Sequence, residues 1–354
     1  MSHIKNLAIS NFRNFDFFEI SASNSAINLI VGPNGSGKTS ILEAISLIAP
    51  GKGLRNVDFS DIVKYGSDYW YIKSIIETDL GSFNISANHH KKGKNIYLDD
   101  ARISHVELKK ILSIIFLTPQ MNYVFSTIVE RRKLLDRLVY YFDLEHSSRT
   151  HRYEYYLKER MKLLESGFFD QNWMEIIEKK IAEAMIEIAT ARIKILQLFE
   201  SVIAKMDTAF PKPIFEIKAY VENNLENQSL VEDIKSILHQ NRSGDLSTKR
   251  TNFGTHRSDF IIKFEKKDIR AEFCSTGEQK ALLTSIILAK TLATIEVFGK
   301  TPVILLDEAT THLDATRQDE LISFLTDLKC QIWISATEYE SFIGYDTNLI
   351  ELNK

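Results

Sequence analysis

A chain of 354 residues with 44% hydrophobic and 26% charged positions is long enough for one large domain or two ordinary ones around a sizeable core. A net charge of −3 and a pI near 6.3 exclude a global basic field, so a polyanionic partner must be held by a local patch. Two cysteines, Cys274 and Cys330, exclude a disulfide framework or a thiolate metal site and fit a reducing cytosol.

The opening, MSHIKNLAISNF, lacks the continuous apolar run of a secretion signal, and HIKNLAISNFRNFDFFEI alternates as strands do. AINLIVG is a short apolar run ending in glycine; the loop GPNGSGKT and the helical pattern KTSILEAISLIA follow. This is a strand, phosphate loop and helix, fitting G-x-x-x-x-G-K-[ST]. Glycines let backbone amides converge on phosphate oxygens, a lysine reaches the β- and γ-phosphates, and a hydroxyl coordinates Mg²⁺. The cofactor-binding candidates are Gly32, Asn34, Gly35, Ser36, Gly37, Lys38, Thr39 and Ser40, with Thr39 as a Mg²⁺ ligand.

Strand-like runs WYIKSIIET, SFNISANHH and NIYLDD follow, ending at ILSIIFLTPQ, which carries Gln120. From 126 to 208 proline disappears up to the FPKP turn and apolar residues recur at helical spacing. Three helices are expected. The last, from Trp173 to Ile203, should run about 35 residues and roughly 50 Å. Strand patterns resume with IFEIKAY and DFIIKFEKKDIRAEF, and the remainder reads helix, strand, helix, strand. The organisation expected is a nucleotide-binding head at 1–125, an inserted helical arm at 126–208 and the rest of the head at 209–354. The most apolar helix, ALLTSIILAKTLATIEVF, is interrupted by Lys290 and reads as a core helix rather than a membrane span.

VILLDEA is the pattern of a parallel strand covered on both faces, ending in Asp307 and Glu308 where ligands sit in open α/β sheets. Asp307 is the expected partner of Mg²⁺, and Glu308 is placed to polarise an attacking water. The stretch CSTGEQK contains a capping box, Ser275 to Glu278, opening a helix. A helix start rich in small residues also offers amides and a hydroxyl to an anion, so Ser275 and Gly277 are compatible with both roles.

The order phosphate loop, Gln120, Ser-x-Gly-x-Gln, LLDEAT and THLD resembles that of the ABC-type ATPases. Ser275 follows Lys38 at more than twice the spacing usual in transporter subunits, whose helical insertion is short. The combination of LAISNFRNF, ERRKLLDRL, YEYYLKERMKLL, FGTHRSDF and STGEQK resembles the RecF family, in the SMC-like branch. The fold this implies is an α/β ABC-type P-loop ATPase head with a mixed sheet and an inserted α-helical arm. The activity implied is slow ATP hydrolysis with Mg²⁺ in a homodimer that sandwiches ATP, Ser275 acting in trans. The catalytic set is then Lys38, Glu308, Gln120, Ser275 and Asp314, and the metal set is Thr39, Asp307 and Gln120. The implied partners are DNA, both duplex and single-strand/double-strand junctions, together with RecR and RecO, and no membrane. Another SMC-like switch or a transporter subunit is the alternative.

Asp314 reads either as the D-loop acid at the dimer interface or as a helix cap. Thr337 in WISATE reads either as a phosphate-sensing hydroxyl or as a satisfied strand end. DNA candidates are Arg131, Arg132, Arg152, Arg160 and Arg257, beside Lys91, Lys92, Lys94, Lys133, Arg149, Lys158, Lys249, Arg250 and His256. Against each stands an ordinary solvated or ion-paired role, and HHKKGKN also reads as a hairpin turn.

Overall fold

Alternation in the opening segment produces β1 (Ser2–Phe12) and β2 (Phe15–Ser21), and the apolar run before the phosphate loop is β3 (Ile27–Val31). In this computed structural model the described residues are 2–22, 25–91, 93–167, 170–308 and 313–352; the side chains of residues 119, 120 and 122 lie outside them. The loop leads into α1 (Lys38–Leu47), whose residues are nearly all buried. Then come β4 (Tyr69–Thr78), β5 (Gly81–His90), β6 (Asn95–Leu98), β7 (Ala101–Arg102), α2 (His105–Ile111) and β8 (Ile114–Leu117). Three helices follow, α3 (Ile128–Phe142), α4 (His146–Ser166) and α5 (Gln171–Lys205). Next are β9 (Pro213–Lys218), α6 (Tyr220–Asn223), α7 (Leu230–Gln240), α8 (Arg242–Thr248), β10 (Asp259–Phe264) and β11 (Ile269–Arg270). The chain closes with α9 (Thr276–Phe298), β12 (Val303–Asp307), α10 (Ala315–Asp327), β13 (Gln331–Ala336) and β14 (Thr347–Glu351).

The chain divides into two compact units, the first comprising Met1–Met121, Asp207–Phe210 and Leu283–Lys354. It holds two sheets. One is wholly parallel, in the order β14-β3-β13-β12-β8, and the other is antiparallel, in the order β2-β1-β4-β5-β6-β7. The head thus carries both strand senses, segregated between sheets. Because β12 is flanked by β13 and β8 and covered on both faces, all five of its residues are buried. A core of Ile4, Ile9, Ile41, Ile45, Trp70, Ile72, Leu305 and Trp333 fills the space around α1. Gln331 joins the two sheets: its side chain accepts from Ile4 N at 2.8 Å and donates to Ile4 O at 2.9 Å.

The second unit comprises Asn122–Met206 and Pro211–Leu282. The helix expected at about 35 residues is α5, with that length and a buried stripe at Ile177, Ile181, Met185, Ile188, Phe199 and Val202. Where the sequence places the end of the arm at 208, the contacts carry its unit on through 211–282. The reason is apolar packing. Leu230, Ile234 and Leu238 of α7 share one core with Ile177, Ile181 and Met185, and the Phe215 ring of β9 lies 6.2 Å from that of Phe199. Helix α9 is long and apolar enough to cross a membrane by length and composition, and 67% of its most apolar stretch is buried within the protein.

Candidate nucleotide site

The carboxyl ends of β3, β12 and β13 lie side by side along the parallel sheet, and the expected nucleotide residues converge there. Gly35 and Gly37 have φ of 85° and 106°, a left-handed conformation that costs glycine nothing. At Gly37 a Cβ would also lie 2.4 Å from the Phe15 ring, so the loop tolerates no side chain there. The Ser36 hydroxyl is buried with no hydrogen-bond partner among the described residues. The first amides of α1 have no partner within the helix. A bare cradle with an unused hydroxyl and a positive helix end fits phosphate. Lys38 is 5% exposed, and its Nζ donates to the carbonyls of Gly32 at 2.6 Å and Pro33 at 3.1 Å.

Asp307, 3% exposed, accepts on one oxygen from Thr39 Oγ1 and from Ser335 Oγ, both at 2.8 Å. Ser335 Oγ in turn accepts from Glu308 N at 2.9 Å. This bond holds Glu308 at a φ of 47°, a strained setting for a residue with a side chain that costs about 1–3 kcal/mol. Thr39 and Asp307 supply hard oxygens beside the phosphate cradle, the donor set suited to Mg²⁺, which takes one or two protein oxygens and completes its shell from substrate phosphate and water. Glu308, Lys38, Thr39 and Ser40 line a cleft of about 510 Å³.

The opposite wall was not foreseen. Arg13, Asn14, Arg55, Asp61 and Val63 line the same cleft. Arg13 makes a two-pronged contact with the buried Glu43 of α1, at 2.8 and 2.7 Å, and donates to Asp61 O at 2.8 Å, clamping the NFRNF turn against the loop helix. Ser335 was also missed, although a serine ending an otherwise apolar strand was its visible signal. Thr337 is exposed just beyond β13. Gln120 follows β8, with its side chain outside the described residues. Asp314 is the N-cap of α10, accepting from Arg317 N at 2.9 Å.

In the second unit Ser275 and Glu278 form the expected capping box: Ser275 Oγ accepts from Glu278 N at 3.3 Å, and Glu278 Oε2 accepts from Ser275 N at 2.9 Å. Lys267, together with these Ser275 donors, holds the Glu278 carboxyl down at about 2. Ser275 and Gly277 are exposed, with nothing within 4 Å of a Cβ built on the glycine.

The basic candidates separate by their partners. Arg160, expected as a DNA contact, is instead fully buried: it donates to Glu178 at 3.0 Å, Asp245 at 2.7 Å, Leu238 O at 2.7 Å and Thr251 at 3.0 Å. Arg131 is likewise corrected, because burial and bonds to Asp259, Glu272 and Phe125 O use its donors. Arg152 pairs with Glu187, Arg149 with Asp143 and Glu145, and Lys133 with Glu130, while the half-buried Arg132 donates to Ser258 O. Lys94 belongs to the head, capping α1 through the carbonyls of Leu47 and Ala49, and burial pushes its ammonium down to about 7. HHKKGKN is the turn between β5 and β6, with Lys92 outside the described residues.

FGTHRSDF proves to be a strap on the arm. Tyr153 Oη lies 2.6 Å from His256 Nδ1, and His256 Nε2 lies 2.9 Å from Thr251 O; burial lowers the pKa of the ring, and the bond to the Thr251 carbonyl pulls the other way. Thr255 O receives Arg192 of α5, and Asp259 receives Arg131 of α3. Arg257 alone among the strap's charged residues is exposed, and its one hydrogen-bond partner among the described residues is Asn252 Oδ1 at 3.4 Å. Asp136 is held by Arg192 and His146: burial alone would raise its carboxyl, but their hydrogen bonds and charge bring it to about 2. Its stabilising contribution is complete above the unfolded value of ~3.9 and is lost as pH falls through about 2. Asp136→Asn should therefore be less stable than the parent at neutral pH, and the gap in denaturant midpoint should close as pH is lowered across that window.

The family model for the RecF/RecN/SMC N-terminal domain matches residues 3–352. The DNA replication and repair protein RecF of Rickettsia akari is 42% identical over 348 residues, covering 97% of this chain and 96% of its own. A solved structure of the recombination mediator protein RecF with ATP superimposes with a TM-score of 0.81 at 24% identity, covering 95% of this chain and 92% of that one. An SMC head bound to the C-terminal winged-helix domain of ScpA gives 0.53 at 17% identity, covering 98% and 94%. With its loop, Walker-type acids and arm in place, the chain belongs to the RecF/RecN/SMC N-terminal domain family, in its RecF branch of DNA replication and repair proteins.

Proposed function

We propose that this protein is an ATP-switched recombination mediator that binds gapped or junction DNA as a dimer and works with RecR and RecO. The observation that carries the nucleotide reading is the convergence of Lys38, Thr39, Asp307 and Glu308 on one cleft beside a phosphate-shaped cradle. On binding triphosphate, Lys38 exchanges the Gly32 and Pro33 carbonyls for β- and γ-oxygens, and Glu308 orients water against the γ-phosphate. Thr39 and Asp307 would hold Mg²⁺, which supplies charge neutralisation on the phosphates. Slow turnover follows from a half-site: Ser275 and Gly277 face solvent, available to the γ-phosphate of a second copy, with Asp314 at the shared boundary. The DNA and partner assignments are supported by family membership and by a recombination mediator of the RecFOR pathway sharing the fold.

The test is Ser275→Arg. Mononucleotide affinity should stay within about twofold of the parent, while sedimentation with ATP should show monomer where the parent shows dimer. Dimerisation unchanged by the bulky cation would remove Ser275 from the shared site; loss of ATP binding by the monomer would reduce the motif to a helix cap.

A further inference from the structure

We propose that the groove between α4 and the loop at 249–257 grips the phosphodiester backbone of DNA. The inference rests on the DNA-binding reading above and assigns it a surface.

The protein as a whole is acidic by three charges, and on the arm most arginines are consumed internally. Arg131, Arg149, Arg152, Arg160, Arg192 and Arg242 all have carboxylate partners. Against that background four exposed cations, Lys158, Lys249, Arg250 and Arg257, have no carboxylate partner among the described residues. All four line one open groove of about 490 Å³, together with Lys162. Glu159 of α4 is taken up by Lys162, while Glu154 and Glu165 line the same groove without a basic partner among the described residues, so five cations there face two acids. Unpaired like charges held together repel one another, and an external polyanion relieves that repulsion.

The groove is also pre-shaped. Asp245, anchored by Arg160, accepts Asn252 N at 2.9 Å through its side chain, and its carbonyl accepts Arg250 N at 3.1 Å. Lys249 caps α8 in the left-handed conformation, and His256 pins the Thr251 carbonyl. The cations therefore ride on a loop whose backbone is already ordered, which spares part of the ordering entropy on binding. Lys158 and Lys162 sit one turn apart, about 6 Å along α4, and Leu157 and Met161 also line the groove, an apolar surface suited to deoxyribose. Glu154 and Glu165 bracket the cations at the two ends, three turns or roughly 16 Å apart. They confine the grip to a short run of phosphates and leave the bases unread, so binding here follows backbone geometry rather than sequence.

The test uses the full chain and a fluorescently labelled gapped duplex, with anisotropy read across a salt series. Lys249→Glu with Arg250→Glu should weaken binding at least ~10-fold at moderate salt and flatten the log K against log salt slope by about 2. Lys179→Glu alone and Lys179→Glu with Lys73→Glu, which change charge outside the groove, should stay within about threefold, and thermal unfolding of all variants should match the parent. A groove variant that binds the duplex like the parent overturns the assignment while leaving DNA binding itself standing. A groove variant that keeps DNA but loses a labelled poly-glutamate peptide that the parent binds overturns it in favour of an acidic protein partner. No binding of the gapped duplex by the parent sinks the underlying DNA reading.

Discussion

Lys38→Arg should fold like the parent chain yet lose ATP turnover by ~100-fold or more, and with it the nucleotide-dependent dimer. The ammonium is 5% exposed and fits between two carbonyls of its own loop at 2.6 and 3.1 Å. A planar guanidinium cannot occupy that space without displacing the loop, and its fork does not match the point between β- and γ-phosphates where a compact charge belongs. Folding should survive because the lysine's bonds are to a solvent-edged loop, and the core around α1 is built from Ile41, Ile45 and Leu47. A phosphate-release assay and a thermal melt together check this. Turnover equal to the parent's would mean that the cleft is not the hydrolytic site.

Arg160→Ala should cost about 3–5 kcal/mol of stability, the cost of breaking a buried ion pair from one side. Removing it leaves Glu178 and Asp245 buried at 2% and 1% side-chain exposure, and strips the Leu238 carbonyl of its donor. Arg242 still reaches Glu178, at 2.6 Å, but Asp245 keeps no cation. Arg152→Ala is the control. Its pair with Glu187 is about half exposed on both sides and should contribute under ~1 kcal/mol. Denaturant midpoints of the two variants should separate clearly, and near-identical midpoints would refute the buried-network account.

These two arginines were equivalent as letters in the sequence, and the difference shows where reading it stops. The phosphate loop and the two acids after an apolar strand are local signals: spacing and residue type together dictate the turn, the strand and the chemistry. The length of α5 was legible for the same reason, since its apolar stripe repeats over many turns without a breaker. Whether Arg160 meets a phosphate or a carboxylate depends on Asp245, brought to it by α7 and α8, two short helices the pattern did not announce. The clamp of Arg13 on Glu43 was invisible likewise, because the two positions belong to different elements that only the packed head sets side by side. β14, five residues near the end of the chain, pairs in parallel with β3 although nothing in its own letters specifies a neighbour.

The strap at 253–260 has a consequence for how the chain is made. Its bonds join Arg131 to Asp259, 128 residues apart, Tyr153 to His256, 103 apart, and Arg192 to Thr255, 63 apart. Helices α3, α4 and α5 emerge from the ribosome first, but three of the side chains that orient them wait for partners not yet synthesised. Until Asp259 and Thr255 arrive, the guanidinium groups of Arg131 and Arg192, respectively, lack part of the bonding that makes their burial tolerable. The arm therefore completes its packing only once the strap is made, about fifty residues after the end of α5, and through that interval its longest helix lacks part of its seating.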